Sequence, residues 1–284
     1  HKEYRRQRQM CIRDRMDPVL VSIGPVTIYW YSTMYLVAFG VVYLLCRKKI
    51  KSNSFTKINL EQLEDLLSWC FIGLLIGARI GYVLFYNFEY YISNPLEIII
   101  PFKYYDGNWV FTGIAGMSYH GGVIGVVSAI WLYSRKLKLH LFELSDFLTA
   151  AIPMGYFFGR IGNFINGELY GRVTEASIGM YFPNAGGQSL RHPSQLYEAL
   201  FEGIILYYVI NFFNKHEELG FNSGAYVVGY GFVRFFIEYF RQPDAHLGFI
   251  FFNLSMGQIL CIVMMLCGLY IWYLGNKETA KAQT

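Results

Sequence analysis

The chain has 284 residues, of which 54% are hydrophobic, 19% aromatic and only 15% charged. Soluble domains carry about 25% charged residues, so this balance excludes an ordinary water-soluble domain and reads as an integral membrane protein. The formal net charge of +4 resides wholly in the first fifteen residues, and residues 16 to 284 balance at 18 basic against 18 acidic, so the charge argues for no nucleic-acid partner.

Those first residues, "HKEYRRQRQMCIRDR", are polar and basic without an apolar run, which excludes a signal peptide or a span. Residues 1 to 15 are expected to be a non-native leader, with the native start at Met16. No Ser/Gly-rich or Pro-rich linker divides residues 16 to 284, which are expected to form a single membrane-embedded domain. Cys11 lies in the leader, and Cys46, Cys70, Cys261 and Cys267 lie in apolar segments without a C-x-x-C or a Cys/His cluster. They read as inert buried thiols, with no metal site and no disulfide implied.

A membrane-spanning helix needs about 20 mainly apolar residues. In chain order the candidates are 26 to 46, 66 to 86, 121 to 134, 143 to 162, 197 to 213, 224 to 240 and 256 to 275. The expectation is an all-α polytopic membrane protein of about seven transmembrane helices. The fourth is interrupted by Pro153 and Gly155, and the sixth contains Arg234 and Glu238. Loops following the odd-numbered spans hold eleven Lys or Arg and those on the opposite side hold four. That asymmetry places the N-terminus outside and the C-terminus in the cytoplasm. The stretches 87 to 119, 163 to 196 and 241 to 255 then form a small extracytoplasmic head.

Polar groups in such a setting cost several kcal/mol unless paired or wet, so each one calls for a reason. His120 in "MSYHGGVIGVV" stands beside Gly121, Gly122 and Gly125, whose spacing admits a close helix neighbour. It reads either as a satisfied interfacial residue or as an imidazole with substrate space beside it, able to accept a proton near neutral pH. Residues 77 to 81, "GARIG", echo "GRIG" at 159 to 162, which fits packing or chance better than a duplication.

"GRIGNFINGELYGR", residues 159 to 172, places Arg160 and Asn163 on one helical face. Gly167 and Gly171 bracket a turn that brings Glu168 back toward the membrane surface. Helix capping is the alternative reading. In "RHPSQLYEALFEG", residues 191 to 203, Pro193 and Ser194 read as helix-start signals, and Glu198 and Glu202 follow at helical spacing as counter-charges for nearby arginines. In "GYGFVRFFIEYFRQPD", residues 229 to 244, Tyr230, Arg234, Glu238 and Arg241 stack on one face. An Arg-Glu-Arg ladder carries one surplus positive charge, which favours an anion site over a self-neutralising network. There is no G-x-S-x-G elbow, no H-E-x-x-H and no Walker loop, so a nucleophile would come with the substrate. An anion transporter or channel is the rival class, because broken helices and intramembrane arginines occur there too.

The chain resembles the prolipoprotein diacylglyceryl transferase family from Pro18 to about Gly275. The resemblance rests on "SIGPVTIYWYSTMY", "HGGVIG", "GRIGNFINGELYGR", "RHPSQLYEALFEG", "GYGFVRFFIEYFRQPD" and "SMGQIL". The outer segment between Gly171 and Arg191 is short beside longer members. The resemblance implies an enzyme of the bacterial cytoplasmic (inner) membrane, multi-pass, with its active site toward the outer leaflet. It would move the sn-1,2-diacylglyceryl group of phosphatidylglycerol to the lipobox cysteine thiol of prolipoproteins, forming a thioether and releasing sn-glycerol 1-phosphate. Family positions match Tyr31, His120, Arg160, Asn163, Glu168, Gly171, Tyr230, Arg234, Glu238 and Arg241. In that chemistry His120 would deprotonate the thiol, Arg160 and Arg234 would grip the phosphate, and Glu238 would orient Arg234 and Arg241. Tyr31, Asn163, Glu168, Gly171, Tyr230 and Arg241 would bind substrate. No cofactor and no metal is called for.

Overall fold

The computed structural model describes residues 17–24, 26–100, 102–105, 108–111, 116–186, 189–214, 218–242, 249–251 and 254–283. The expected leader at 1 to 15 lies outside these residues. A hairpin of β1 (Val19–Ile23) and β2 (Val26–Tyr29) leads directly into α1 (Trp30–Lys51). Next come α2 (Leu60–Tyr86), α3 (Phe88–Ser93), a 3-10 turn (Pro95–Ile98) and a second hairpin, β3 (Phe102–Tyr105) with β4 (Asn108–Phe111). Helices α4 (Tyr119–Leu137), α5 (Leu141–Thr149) and α6 (Ile152–Ile165) follow. A strap from 166 to 193 then leads into α7 (Ser194–Glu198), which continues without a break as a π-helical stretch (Ala199–Ile205) and α8 (Leu206–Phe212). The chain ends with α9 (Phe221–Ile237), a short pairing of β5 (Phe249–Phe251) with β6 (Leu254–Ser255), and α10 (Met256–Gln283).

Helices occupy all seven expected places. Three of them, Trp30–Lys51, Leu60–Tyr86 and Met256–Lys281, are long and apolar enough to cross a membrane. Their outward faces carry exposed side chains such as Leu36, Phe85 and Leu266, as expected where lipid rather than water is the solvent. The expected fourth span is two helices. The chain turns at Ala150 and Ala151, and Pro153 sits in the first turn of α6, where a missing N–H leaves no intrahelical bond unmade. Gly155 interrupts nothing. A Cβ there would stand 2.8 Å from Val42 Cγ2, so its lack of a side chain lets α6 lie against α1.

The described chain falls into two compact units, one of residues 1–52 with 145–284 and one of residues 53–144. In the first, α1 packs on α6, α6 on the π stretch, and α9 on α10. The contact between α9 and α10 is close because Gly224 and Gly268 face each other: a Cβ on Gly224 would meet Gly268 O at 2.8 Å. The start of α9 is held by another element. Asp146 accepts from Gly220 N and Ser223 N, both at 2.7 Å, and from Ser223 Oγ at 2.6 Å, so a carboxylate from α5 satisfies amides that the helix leaves unbonded.

In the second unit, α2 and α4 cross on glycines. A Cβ on Gly73 would meet Gly125 O at 2.6 Å, and one on Gly81 would meet Gly121 Cα at 2.7 Å. The close approach expected of Gly121 and Gly125 is therefore met by Gly73, Gly77 and Gly81. Arg79, in the echoed "GARIG", donates to the carbonyls of Ile98 (2.8 Å), Glu97 (2.6 Å) and Gly116 (3.3 Å) and lies over the Tyr91 ring. It ties a loop to a helix. Cys46, Cys70 and Cys261 are buried as expected, whereas Cys267 is exposed on the surface of α10.

Candidate active site

Residues Tyr156, Arg160 and Asn163 line one face of α6, since side chains three and four apart on a helix are neighbours. Arg160 donates from Nε to Tyr156 Oη at 2.7 Å and from Nη1 to Asn163 Oδ1 at 3.2 Å. Its guanidinium also lies over the Tyr156 ring. Asn163 passes the chain of bonds onward by donating from Nδ2 to Glu168 Oε1 at 2.9 Å. Glu168 reaches it because the strap reverses immediately after α6, where Gly167 and Leu169 take positive φ of 66° and 58°. The fully buried Gln195 secures that turn by donating to Glu168 O at 2.6 Å, and Ser194 donates to Leu169 O at 3.0 Å. Ser194 thus fastens the strap instead of capping its own helix.

Facing α6, Glu198 and Glu202 project from the end of α7 and the π stretch, and neither is exposed at all. A π-helical turn inside a helix is uncommon and recurs at functional sites. Here the stretch lies against α6 because Gly203 has no side chain: a Cβ would stand 2.7 Å from Phe157 Cβ. The Tyr156 hydroxyl donates to Glu202 Oε2 and lies 3.4 Å from the Tyr230 hydroxyl of α9. Arg234, one turn beyond Tyr230, meets three carboxylates. Its Nη1 is 3.1 Å from Glu198 Oε1 and 3.8 Å from Glu202 Oε1, and its Nη2 is 3.3 Å from Glu238 Oε2. Arg241 contacts Glu198 Oε1 at 3.2 Å through Nη1 and Glu238 Oε2 at 3.6 Å through Nε. Arg160 Nε completes the cluster 2.8 Å from Glu198 Oε2.

This geometry corrects one expectation. The ladder of Arg234, Glu238 and Arg241 carries no surplus charge, because Glu198 and Glu202 oppose it across the helix packing. The three guanidinium groups of Arg160, Arg234 and Arg241 are matched by the carboxylates of Glu198, Glu202 and Glu238. Both terminal nitrogens of Arg234 face carboxylates. Among the described residues, Nη2 of Arg160 and Nη2 of Arg241 contact no acceptor. Those are the donor positions left for an anionic ligand, and a fork of guanidinium N–H groups suits phosphate oxygens.

The strap supplies the rim. Gly171 N donates to His192 O at 2.8 Å, Arg172 N to Phe240 O at 2.9 Å and His192 N to Arg172 O at 3.0 Å, and Gly171 pairs with Arg241 in an antiparallel bridge. A Cβ at Gly171 would press on His192 O at 2.8 Å, so the glycine is a place of close backbone approach. The Arg172 side chain donates to Arg241 O at 2.7 Å, and Arg191 Nη1 to Gly171 O at 3.2 Å. Partial burial holds the His192 imidazole below its ordinary pKa, beside the Tyr197 hydroxyl at 3.1 Å.

Of the expected site residues, Arg160, Asn163, Glu168, Tyr230, Arg234, Glu238 and Arg241 come together in the first unit, with Gly171 in the strap above them. Tyr31 in α1 bonds the Tyr35 hydroxyl at 3.1 Å and also faces Asn163 and Glu168. His120 belongs to the second unit, exposed at the second position of α4 with its ring edge-on to Tyr119. Tyr156, which the sequence does not single out, touches Arg160, Glu202 and Tyr230. Its only signal is the four-residue spacing to Arg160.

Residues 18–274 match the family model described as prolipoprotein diacylglyceryl transferase. Three similar proteins are each named phosphatidylglycerol–prolipoprotein diacylglyceryl transferase. The one from Chlorobaculum tepidum is 51% identical over 94% of this chain and 93% of its own length. That from Idiomarina loihiensis is 46% identical over 93% and 94%, and that from Rickettsia bellii 44% over 90% and 94%. The match takes in both arginine-bearing helices, the strap between them and the glycine-packed pair α2 and α4. This chain belongs to the prolipoprotein diacylglyceryl transferase family of membrane transferases.

Proposed function

We propose that the chain transfers the sn-1,2-diacylglyceryl group from phosphatidylglycerol to the lipobox cysteine thiol of a signal-peptide-bearing prolipoprotein, the first step of bacterial lipoprotein maturation. The thiol sulfur bonds to the glycerol carbon while the bond from that carbon to the phosphate oxygen breaks, giving a thioether and sn-glycerol 1-phosphate. The proton leaves the thiol before attack and ends on solvent or on the phosphate product. One observation carries the reading: Arg160 and Arg241 each keep a terminal nitrogen uncommitted at the edge of a buried, charge-matched cluster. Donors fixed in place before the reaction stabilise charge developing on a leaving phosphate without further reorganisation.

Arg160 and Arg234 stabilise the phosphate, Arg160 by direct contact and Arg234 through Glu198, the carboxylate that it shares with Arg160 and Arg241. Glu238 orients Arg234 and Arg241. Asn163, held by Glu168, fixes the Arg160 fork, and Tyr31, Tyr230, Gly171 and Arg241 shape the space for the headgroup and the peptide. A free thiol has a pKa of about 8.5, so a base speeds its ionisation, and His120 takes that role.

Residues 16 to 284 act as one membrane-embedded transferase of the bacterial inner membrane. Seven spans, an N-terminus outside and a reaction site toward the outer leaflet fit the excess of eleven over four Lys and Arg in the loops. The test is to incubate the purified chain with phosphatidylglycerol and a lipobox peptide and seek the diacylglyceryl thioether by mass spectrometry. No product with the Cys peptide, or equal product with a Ser replacement, overturns the proposal.

A further inference from the structure

Glu198 is completely buried and touches three arginines from two helices and the turn after them: Arg160 at 2.8 Å, Arg234 at 3.1 Å and Arg241 at 3.2 Å. No other carboxylate of the cluster is shared so widely. Glu202 meets Arg234 only at 3.8 Å and gives its other oxygen to Tyr156, and Glu238 meets Arg234 and Arg241 at 3.3 and 3.6 Å. We infer that Glu198 is a positioning residue whose negative charge tunes this arginine cluster to hold a phosphate group and then to let it go.

Without Glu198 the three guanidinium groups would face only Glu202 and Glu238, and the surplus positive charge would bind most tightly whichever species carries most negative charge. In the proposed reaction that species is the product, a phosphate monoester, whereas the lipid substrate is a diester with a single negative charge. A site built so would favour its product over its substrate, and rate gains come only from binding the transition state better than the ground states. Glu198 corrects this from the centre of the cluster. It occupies one side of each guanidinium, aligns all three, and leaves Nη2 of Arg160 and of Arg241 to meet the anion. The inference rests on the transferase reading for the identity of the anion, while the charge relationship itself is read from contacts alone.

The test follows the sign of a change. Removing a carboxylate with a purely structural role loosens the arginines and weakens anion binding, whereas removing an opposing charge strengthens it. Inorganic phosphate is titrated against the purified full chain in detergent, with the thermal unfolding midpoint followed for wild type, Glu198→Gln and Glu198→Asp. The expected result is phosphate binding tighter on the order of tenfold in Glu198→Gln and close to wild type in Glu198→Asp. Unchanged or weaker binding in Glu198→Gln overturns the inference, as does absence of phosphate binding in the wild type. If Glu198→Gln yields no folded protein, Glu202→Gln decides with the same expected sign. If neither folds while Glu198→Asp does, the carboxylate is structural and the inference fails. In turnover, Glu198→Gln should lose kcat with no rise in KM for the lipid. A wild type that binds phosphate but makes no thioether would remove the transferase reading and leave the charge relationship standing.

Discussion

Asn163 accepts from Arg160 through Oδ1 and donates to Glu168 through Nδ2 at 2.9 Å, so its amide has one satisfied orientation. Asn163→Asp would turn that donor into an acceptor facing a carboxylate. It is expected to lower kcat/KM by about a hundredfold or more, because the bond to Glu168 is lost and two like charges meet beside Arg160. Asn163→Asp combined with Glu168→Gln should recover part of the loss, since the glutamine amide can supply the missing donor. Steady-state kinetics on the double variant check this, and a double variant no better than the single one would refute the relay.

Arg160 combines a Tyr156 contact, an Asn163 contact and an open Nη2 in one planar group. A lysine keeps the charge but not the fork. Arg160→Lys is expected to lose about a hundredfold or more in kcat/KM and Arg160→Ala nearly all turnover. Full activity in the alanine variant would remove Arg160 from the phosphate site.

The pH dependence of His120→Gln separates two ways of ionising the thiol. If His120 removes the proton, the variant is most impaired at low pH, where few thiols ionise unaided, and approaches wild type as pH rises past the thiol pKa of about 8.5. A defect of equal size across the pH range would assign His120 to binding or packing.

The glycine crossing of α2 and α4 leaves no room for a side chain. Gly125→Leu is expected to destabilise the protein by about 1–3 kcal/mol or more through overpacking, read as a lowered unfolding midpoint in detergent. Gly40→Ala is the matched control, because a Cβ at that position would meet nothing within 4 Å and a helical Ala is preferred to Gly. Equal midpoints for the two variants would count against the packing argument.

Asp146→Asn leaves at least one amide at the start of α9 without its charged acceptor. A cost of about 1–2 kcal/mol is expected, as for loss of a helix cap. Unfolding measurements on Asp146→Asn and Asp146→Glu would show whether reach or charge matters more.

Much of the site is legible in the sequence because charge in an oily chain is conspicuous. Arg160, Arg234, Glu238 and Arg241 stand out for their cost alone, and helical spacing puts Arg160 beside Asn163 as observed. Tyr156 is hidden by company: one tyrosine among 24 offers no contrast. The surplus charge expected of residues 230 to 241 fails for a different reason. Glu198 and Glu202, which the sequence offers as counter-charges without saying for which arginines, oppose Arg234 and Arg241 from another helix, and only the packing names the partners. Gly171 has the look of a turn residue, yet the positive φ belongs to Gly167 and Leu169, and Gly171 is needed for backbone proximity. The π stretch has no local signature, since its register depends on Gly203 meeting Phe157.

Helix α9 has its first residues gripped by Asp146 and carries Arg234 thirteen positions later, a rise of about 20 Å at 1.5 Å per residue. A rod clamped at its foot has a fixed bearing at its tip. Any rotation of α9 about its own axis would swing Arg234 away from Glu198 and tear the foot from Asp146 together. The aim of the guanidinium is therefore set as much at the far end of the helix as beside Glu198, and a defect at Asp146 should be felt as an arginine that points the wrong way.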